Sequence, residues 1–252
     1  MSANRGGEVE QWITSGDLDL VHCQPVCARD GQQMDTEARP YHLRRYQSTG
    51  KGSNMTKSNQ KQTVLLVSLT GDEQIKLYDL DAKSGALHLR AVSNAHGPSG
   101  ALCLHPNGRV LYDAHVLSTT LASFRLDAVS GELTLINKVD TGVEVPAHLI
   151  TDRHGRFLLT AYYTGGGITV HRLGADGAIG ELVQYINTGE KAHAVLAAVD
   201  DAFVFVPHVC PVNKTSQFRF DSTTGLLTPN NPAEVVPPVE YTGPRHICLG
   251  PG

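Results

Sequence analysis

Short apolar runs rich in Val, Leu, Ile and Phe recur along most of the chain, each closed by a cluster of Gly, Asn, Asp, Ser or Thr. QTVLLVS from Gln62 is the first convincing one. Runs of this length and composition, bounded by turn residues, predict β-strands. No long segment carries helical periodicity. AHAVLAA, from Ala192 to Ala198, is made of good helix formers, but its position within a repeat assigns it to a strand.

That repeat is the most informative feature of the sequence. One pattern is an apolar strand running into a glycine-marked hairpin: YDLDAKSGALHL from Tyr78, FRLDAVSGELTL from Phe124, HRLGADGAIGEL from His171 and FRFDSTTGLLTP from Phe218. Its phase-marking residues, Leu80, Leu126, Leu173 and Phe220, are separated by 46, 47 and 47 positions. A second pattern alternates with it, as strand, turn and strand: GPSGALCLHPNGRVLYDA from Gly97, VPAHLITDRHGRFLLTA from Val145, KAHAVLAAVDDAFVFVP from Lys191, and a stump, GPRHICLGPG, from Gly243. A period of about 47 residues holding four short strands corresponds to one propeller blade. The fold expected is all-β: a β-propeller of four-stranded antiparallel blades. Residues 55–252 hold about four such blades, and the last pattern stops after one strand. An incomplete ring and a truncated coding sequence are therefore expected, with a complete four-bladed propeller as the alternative.

Residues 1–54 differ from the rest. They are polar and turn-rich without sustained periodicity, and are expected to be a poorly structured extension preceding a domain at 55–252. Met55 is a candidate original start, and an extension that packs on the domain is the alternative. The chain carries 25 acidic and 21 basic side chains, a formal net charge of −4, and no dense Lys/Arg run, so nucleic acid is not an expected ligand. Its apolar runs fall far short of the roughly 20 residues that a membrane helix needs. The N-terminus lacks a secretory pattern, and a cytoplasmic location is expected by default. The five cysteines, Cys23, Cys27, Cys103, Cys210 and Cys248, read as reduced thiols. His22 with Cys23 and Cys27 makes only a partial zinc set.

GPSGALCLHPNGRVLY, VPAHLITDRHGRFLLTAYYTGGGITVHRL, KAHAVLAAVDDAFVFVP and NPAEVVPPVEYTGPRH resemble the seven-bladed propeller lactonases. Within that family they are most like the bacterial 6-phosphogluconolactonases, with fungal carboxymuconate-lactonizing cycloisomerases more distant. The resemblance spans residues 60–252 in order and spacing. It implies a ring with about three further blades, hydrolysis of a sugar lactone, and no cofactor.

Aligning the second pattern on its turn puts Gly100, Ala147, His193 and Arg245 at one repeat position. Equivalent positions near the start of the innermost strands converge on a propeller axis. A pocket at the channel mouth is expected, with space from Gly100 and Ala147 and chemistry from His193 and Arg245. Lactone hydrolysis requires a group to deprotonate water and a donor for the oxyanion. A histidine suits the first task and an arginine the second, and the arginine fork also suits a substrate phosphate or carboxylate. The alternatives are a histidine that satisfies a turn and an arginine in a structural ion pair. The resemblance places the family's active-site histidine and arginine on His193 and Arg245. It also implies a glutamate and a second arginine that this chain lacks. His148 and His246 are further candidates for substrate contact, although strand alternation would turn both away from the channel. No GxSxG elbow or GxxxxGK[ST] loop occurs. Only Asp140, Glu144 and Asp152 lie near the relevant strand starts, so a metal-free site is expected. The lactonizing cycloisomerase and a non-catalytic binding propeller are the competing readings.

Overall fold

The computed structural model describes residues 63–250 and the backbone of residues 10–15. Its strands form four sheets, each of four antiparallel strands paired in chain order. The first holds β1 (Glu10–Ser15), β2 (Val64–Leu69), β3 (Gln74–Leu80) and β4 (Leu87–Asn94). The second holds β5 (Ser99–Leu104), β6 (Val110–His115), β7 (Thr120–Leu126) and β8 (Leu133–Asp140). The third is built from β9 (Pro146–Thr151), β10 (Phe157–Tyr162), β11 (Ile168–Leu173) and β12 (Ile179–Ile186). The fourth comprises β13 (Leu196–Ala197), β14 (Phe203–His208), β15 (Lys214–Asp221) and β16 (Leu226–Val235). No helix occurs among the described residues. The four sheets are the blades of a partial propeller, stacked face to face.

The core lies between consecutive blades. Leu66, Ile75, Leu77, Leu102, Leu111 and Phe124 fill the first interface. Tyr112, Leu121, Leu149, Leu158 and Ile179 fill the second, and Phe157, Leu159, Val170, Val195, Val204 and Phe218 the third. The middle strands β6 and β10 are buried at every position because both of their faces meet a neighbouring blade. This explains why they read as unbroken apolar runs instead of alternating ones.

Two polar devices set the distance between blades. The hairpin linking the third and fourth strands is closed by an aspartate whose carboxylate accepts main-chain N–H groups inside the turn. Asp127 Oδ1, for example, is 2.9 Å from Val129 N and 2.8 Å from Ser130 N. The turn glycine then takes a positive φ and touches the preceding blade. Gly225, at φ +85°, lies against the Phe157 ring, where an added Cβ would come within 2.4 Å of the ring edge. The second device is a carboxamide on the fourth strand that holds the next blade's main chain at both ends. Asn137 accepts from Ile179 N at 3.0 Å and donates to its carbonyl at 2.8 Å. Gln184 repeats this on Leu227, at 2.8 and 3.1 Å.

Two expectations change in the structure, and beside them the N-terminal segment supplies one strand. The segment read as a poorly structured extension contributes β1, which pairs with β2 from Glu10↔Leu69 to Ser15↔Val64. The rest of that segment, with His22, Cys23 and Cys27, lies outside the described residues. The strand expected over Ala192 to Ala198 shrinks to β13 plus a lone Ala192↔His208 bridge. Its backbone is diverted there, since Val195 N–H donates to His148 Nδ1 at 3.3 Å in the preceding blade instead of to the ladder. Finally, the segment after Gly243 is not a strand. It has no described sheet to join, and its backbone is tethered to blade four by Gly243 N donating to Asn213 Oδ1 at 2.7 Å.

Candidate active site

The loops that lead into the inner strands build the site. A string of main-chain bonds runs along them from blade to blade. Val145 N donates to Ser118 O at 3.0 Å, Tyr163 N to Val145 O at 2.8 Å, Lys191 N to Tyr163 O at 2.5 Å, and Val209 N to Lys191 O at 3.1 Å. Val145 and Lys191, both non-glycine, hold φ at +56° and +65° to make these bonds. Such conformations cost free energy and persist where the surroundings fix them. The string fixes where Tyr163, Lys191 and the following His193 stand.

His193 is the centre of the cluster. Arg245 Nε donates to His193 Nε2 at 3.0 Å, across 52 positions of sequence. The His246 ring meets the His193 ring edge to face at 5.4 Å, and the Tyr163 ring meets it likewise at 5.9 Å. The Lys191 ammonium sits over the Tyr163 ring, 4.4 Å from its centroid. An arginine can only donate, so the His193 Nε2 lone pair is the acceptor and the neutral ring carries its proton on Nδ1. Nδ1 is buried and has no hydrogen-bond partner among the described residues. Burial, reinforced by the charge of Arg245 and by His246, pushes the His193 pKa down to about 4. The ring is therefore neutral around pH 7 and able to accept a proton, provided Arg245 releases Nε2. Burial and Arg245 also lower the pKa of His246.

The sequence-derived candidates divide into two groups. The fold brings His193, Arg245 and His246 together. His246 joins them because residues 243–250 are not a strand, so the alternation that would have turned it away does not apply. His148 is buried, and its Nδ1 accepts the Val195 amide from the next blade. Gly100 does not leave the open space expected of it. The Val116 side chain takes that volume, 2.0 Å from where a Cβ would be, and the Gly100 amide is bound to Asp113 Oδ1 at 3.1 Å. Sequence reasoning passed over Lys191 and Tyr163 as site residues. Lys191 could have been found as the residue two before His193, in the loop that leads into the inner strand. Nothing in the sequence signals that Tyr163 packs between Lys191 and His193.

Comparison with known proteins adds independent findings. Residues 53–252 match the family described as "Lactonase, 7-bladed beta-propeller". A 6-phosphogluconolactonase of Pectobacterium carotovorum is 31% identical over 194 residues, covering 75% of this chain and 55% of that protein. One from Klebsiella pneumoniae is 31% identical over 191 residues, covering 76% and 56%. Among solved structures, a Bacteroides fragilis protein described as a candidate 6-phosphogluconolactonase superposes with a TM-score of 0.67 at 20% identity, covering 76% of this chain and 59% of that one. A Pseudomonas aeruginosa periplasmic gluconolactonase superposes with a TM-score of 0.60 at 24% identity, covering 68% and 53%. These two superpositions speak to the fold. The chain spans about half the length of the curated relatives it matches.

Proposed function

The chain belongs to the seven-bladed β-propeller lactonase family, and from that premise we propose that it hydrolyses a sugar lactone, with 6-phosphoglucono-1,5-lactone opening to 6-phosphogluconate as the specific reaction. The observation that carries the reading is the Arg245–His193 hydrogen bond at 3.0 Å, which joins a neutral imidazole to a guanidinium. As the lactone enters, the Arg245 donor transfers from His193 Nε2 to the lactone carbonyl oxygen. The freed Nε2 takes a proton from water while the water oxygen adds to the carbonyl carbon, and the guanidinium stabilises the resulting oxyanion. Collapse of that intermediate breaks the bond to the ring oxygen. The imidazolium returns its proton to the departing alkoxide, leaving the open-chain hydroxy acid. His246, exposed beside His193, is the candidate for contact with the sugar hydroxyls. No metal enters this scheme, and a cytoplasmic location belongs to the same proposal.

The test is to follow hydrolysis of 6-phosphoglucono-1,5-lactone by the purified chain over the spontaneous rate, for the native protein and for His193→Ala. Loss of at least about 100-fold in kcat/KM with an unchanged melting temperature is expected, the usual scale for a general base. A variant as fast as the native chain would falsify the assignment of His193.

A further inference from the structure

The site described above contains a cation for which the hydrolytic steps have no use. Lys191 is half-buried, and no carboxylate lies within ion-pair distance of it among the described residues; its acidic neighbour Glu190 and the nearby Glu144 are both exposed and unpaired with it. A half-buried ammonium loses hydration, and an ion pair normally compensates for that loss. Here the compensation is the face of Tyr163, the same ring that meets His193 edge to face. The backbone argues in the same direction. Lys191 occupies a left-handed conformation, fixed by one main-chain bond on each side, whereas the matching position of the next sequence repeat is Gly243, which adopts φ +58° at little cost. Pro98 and Val145, the other two residues at this position, carry no charge. Lysine is thus the one charged residue of the series, and it is held in place at a conformational cost. Arg245 is also without a carboxylate partner among the described residues. Two cations without carboxylate partners among the described residues, Arg245 bonded to the imidazole and Lys191 stacked on the tyrosine that touches it, make a local field that an anionic ligand would neutralise.

We propose that Lys191 is the anion anchor of this site: it binds the phosphomonoester of a phosphorylated sugar lactone, Tyr163 holds the ammonium in position, and Arg245 is left free for the carbonyl oxygen. The anchor rests on the lactonase reading for the identity of the reacting end but not for its own affinity, which depends on charge and position. It makes Lys191 the residue that distinguishes a phosphorylated lactone from its unphosphorylated counterpart.

The experiment measures kcat/KM for 6-phosphoglucono-1,5-lactone and for glucono-1,5-lactone with the native chain, Lys191→Met and Lys191→Arg, alongside binding of 6-phosphogluconate and gluconate by calorimetry. Lys191→Met is expected to lower the preference for the phosphorylated lactone about 10- to 100-fold, chiefly through KM, and to weaken 6-phosphogluconate binding by a similar factor; Lys191→Arg should restore most of both. A ratio unchanged in Lys191→Met overturns the proposal, including the case in which both rates fall in parallel because the loop has been disturbed. If neither lactone is hydrolysed but 6-phosphogluconate still binds more tightly than gluconate in a Lys191-dependent manner, the anchor stands and the lactonase reading falls. If both lactones are hydrolysed with equal efficiency, the anchor falls and the lactonase reading stands.

Discussion

His193 shows how placement changes the chemistry of one side chain. In water its imidazole would titrate near 6.5, and in the fold burial and the Arg245 charge bring that to about 4. The acid limb of kcat/KM is accordingly expected near pH 4, not near 6.5, and Arg245→Met, which removes one of the lowering causes, should move it upward; a pH–rate profile of both proteins checks this. The same residue, with His171, links pH to stability. His171 is also buried, and burial pushes its pKa down to about 4. The unfolded chain takes up these two protons near pH 6.5 and the folded chain only near pH 4. Between those values the unfolded state binds more protons, so stability falls as pH is lowered through that window. Thermal melts from pH 7.5 to 4.5 should show the decline, and His171→Leu should make it shallower. At this scale the residue types at positions 193 and 245 were legible from the sequence alone. The bond between them was not, because it joins residues 52 positions apart.

The strands and their turns were the most legible part of the chain. The Asp-to-Gly hairpin chemistry is local: the aspartate caps its own turn, and the glycine supplies a φ that other residues adopt only with strain. The role of that glycine toward the neighbouring blade was not legible, since it depends on what stands opposite. Gly225→Ala should destabilise the protein by about 2–4 kcal/mol, because a methyl group would be driven into the Phe157 ring as well as into a strained φ. Denaturant unfolding measures this, and the same change at Gly108, where a Cβ meets open space, isolates the backbone part. Asn137→Ala should cost about 1–3 kcal/mol, since it strips partners from both polar groups of Ile179. The inner strand of blade four was misjudged for a related reason. Its repeat register calls for a ladder over Ala192 to Ala198, yet a side chain from another blade, His148, captures the Val195 amide.

Over the described residues, the molecule is a row of blades in which each packs its core against the next, so disturbance should remain local. Leu111→Ala, in the interface of blades one and two, should cost about 2–5 kcal/mol and raise amide exchange in those blades while blade four keeps its protection. Hydrogen exchange resolved by peptide decides this, and uniform loss across all four blades would contradict it. The period of 46 to 47 residues between Leu80, Leu126, Leu173 and Phe220 was enough to define the blade, because strand alternation and turn chemistry are properties of neighbouring residues. It also aligned Gly100, Ala147, His193 and Arg245 at one position of the repeat. Only the tertiary structure decided which of them meet. It filled the space at Gly100 with Val116, gave His148 a structural hydrogen bond, and brought His246 beside His193. It likewise set an unpaired Lys191 over Tyr163. Contacts between blades depend on side chains about one period or more apart in sequence, packed at a separation that the repeat itself does not encode.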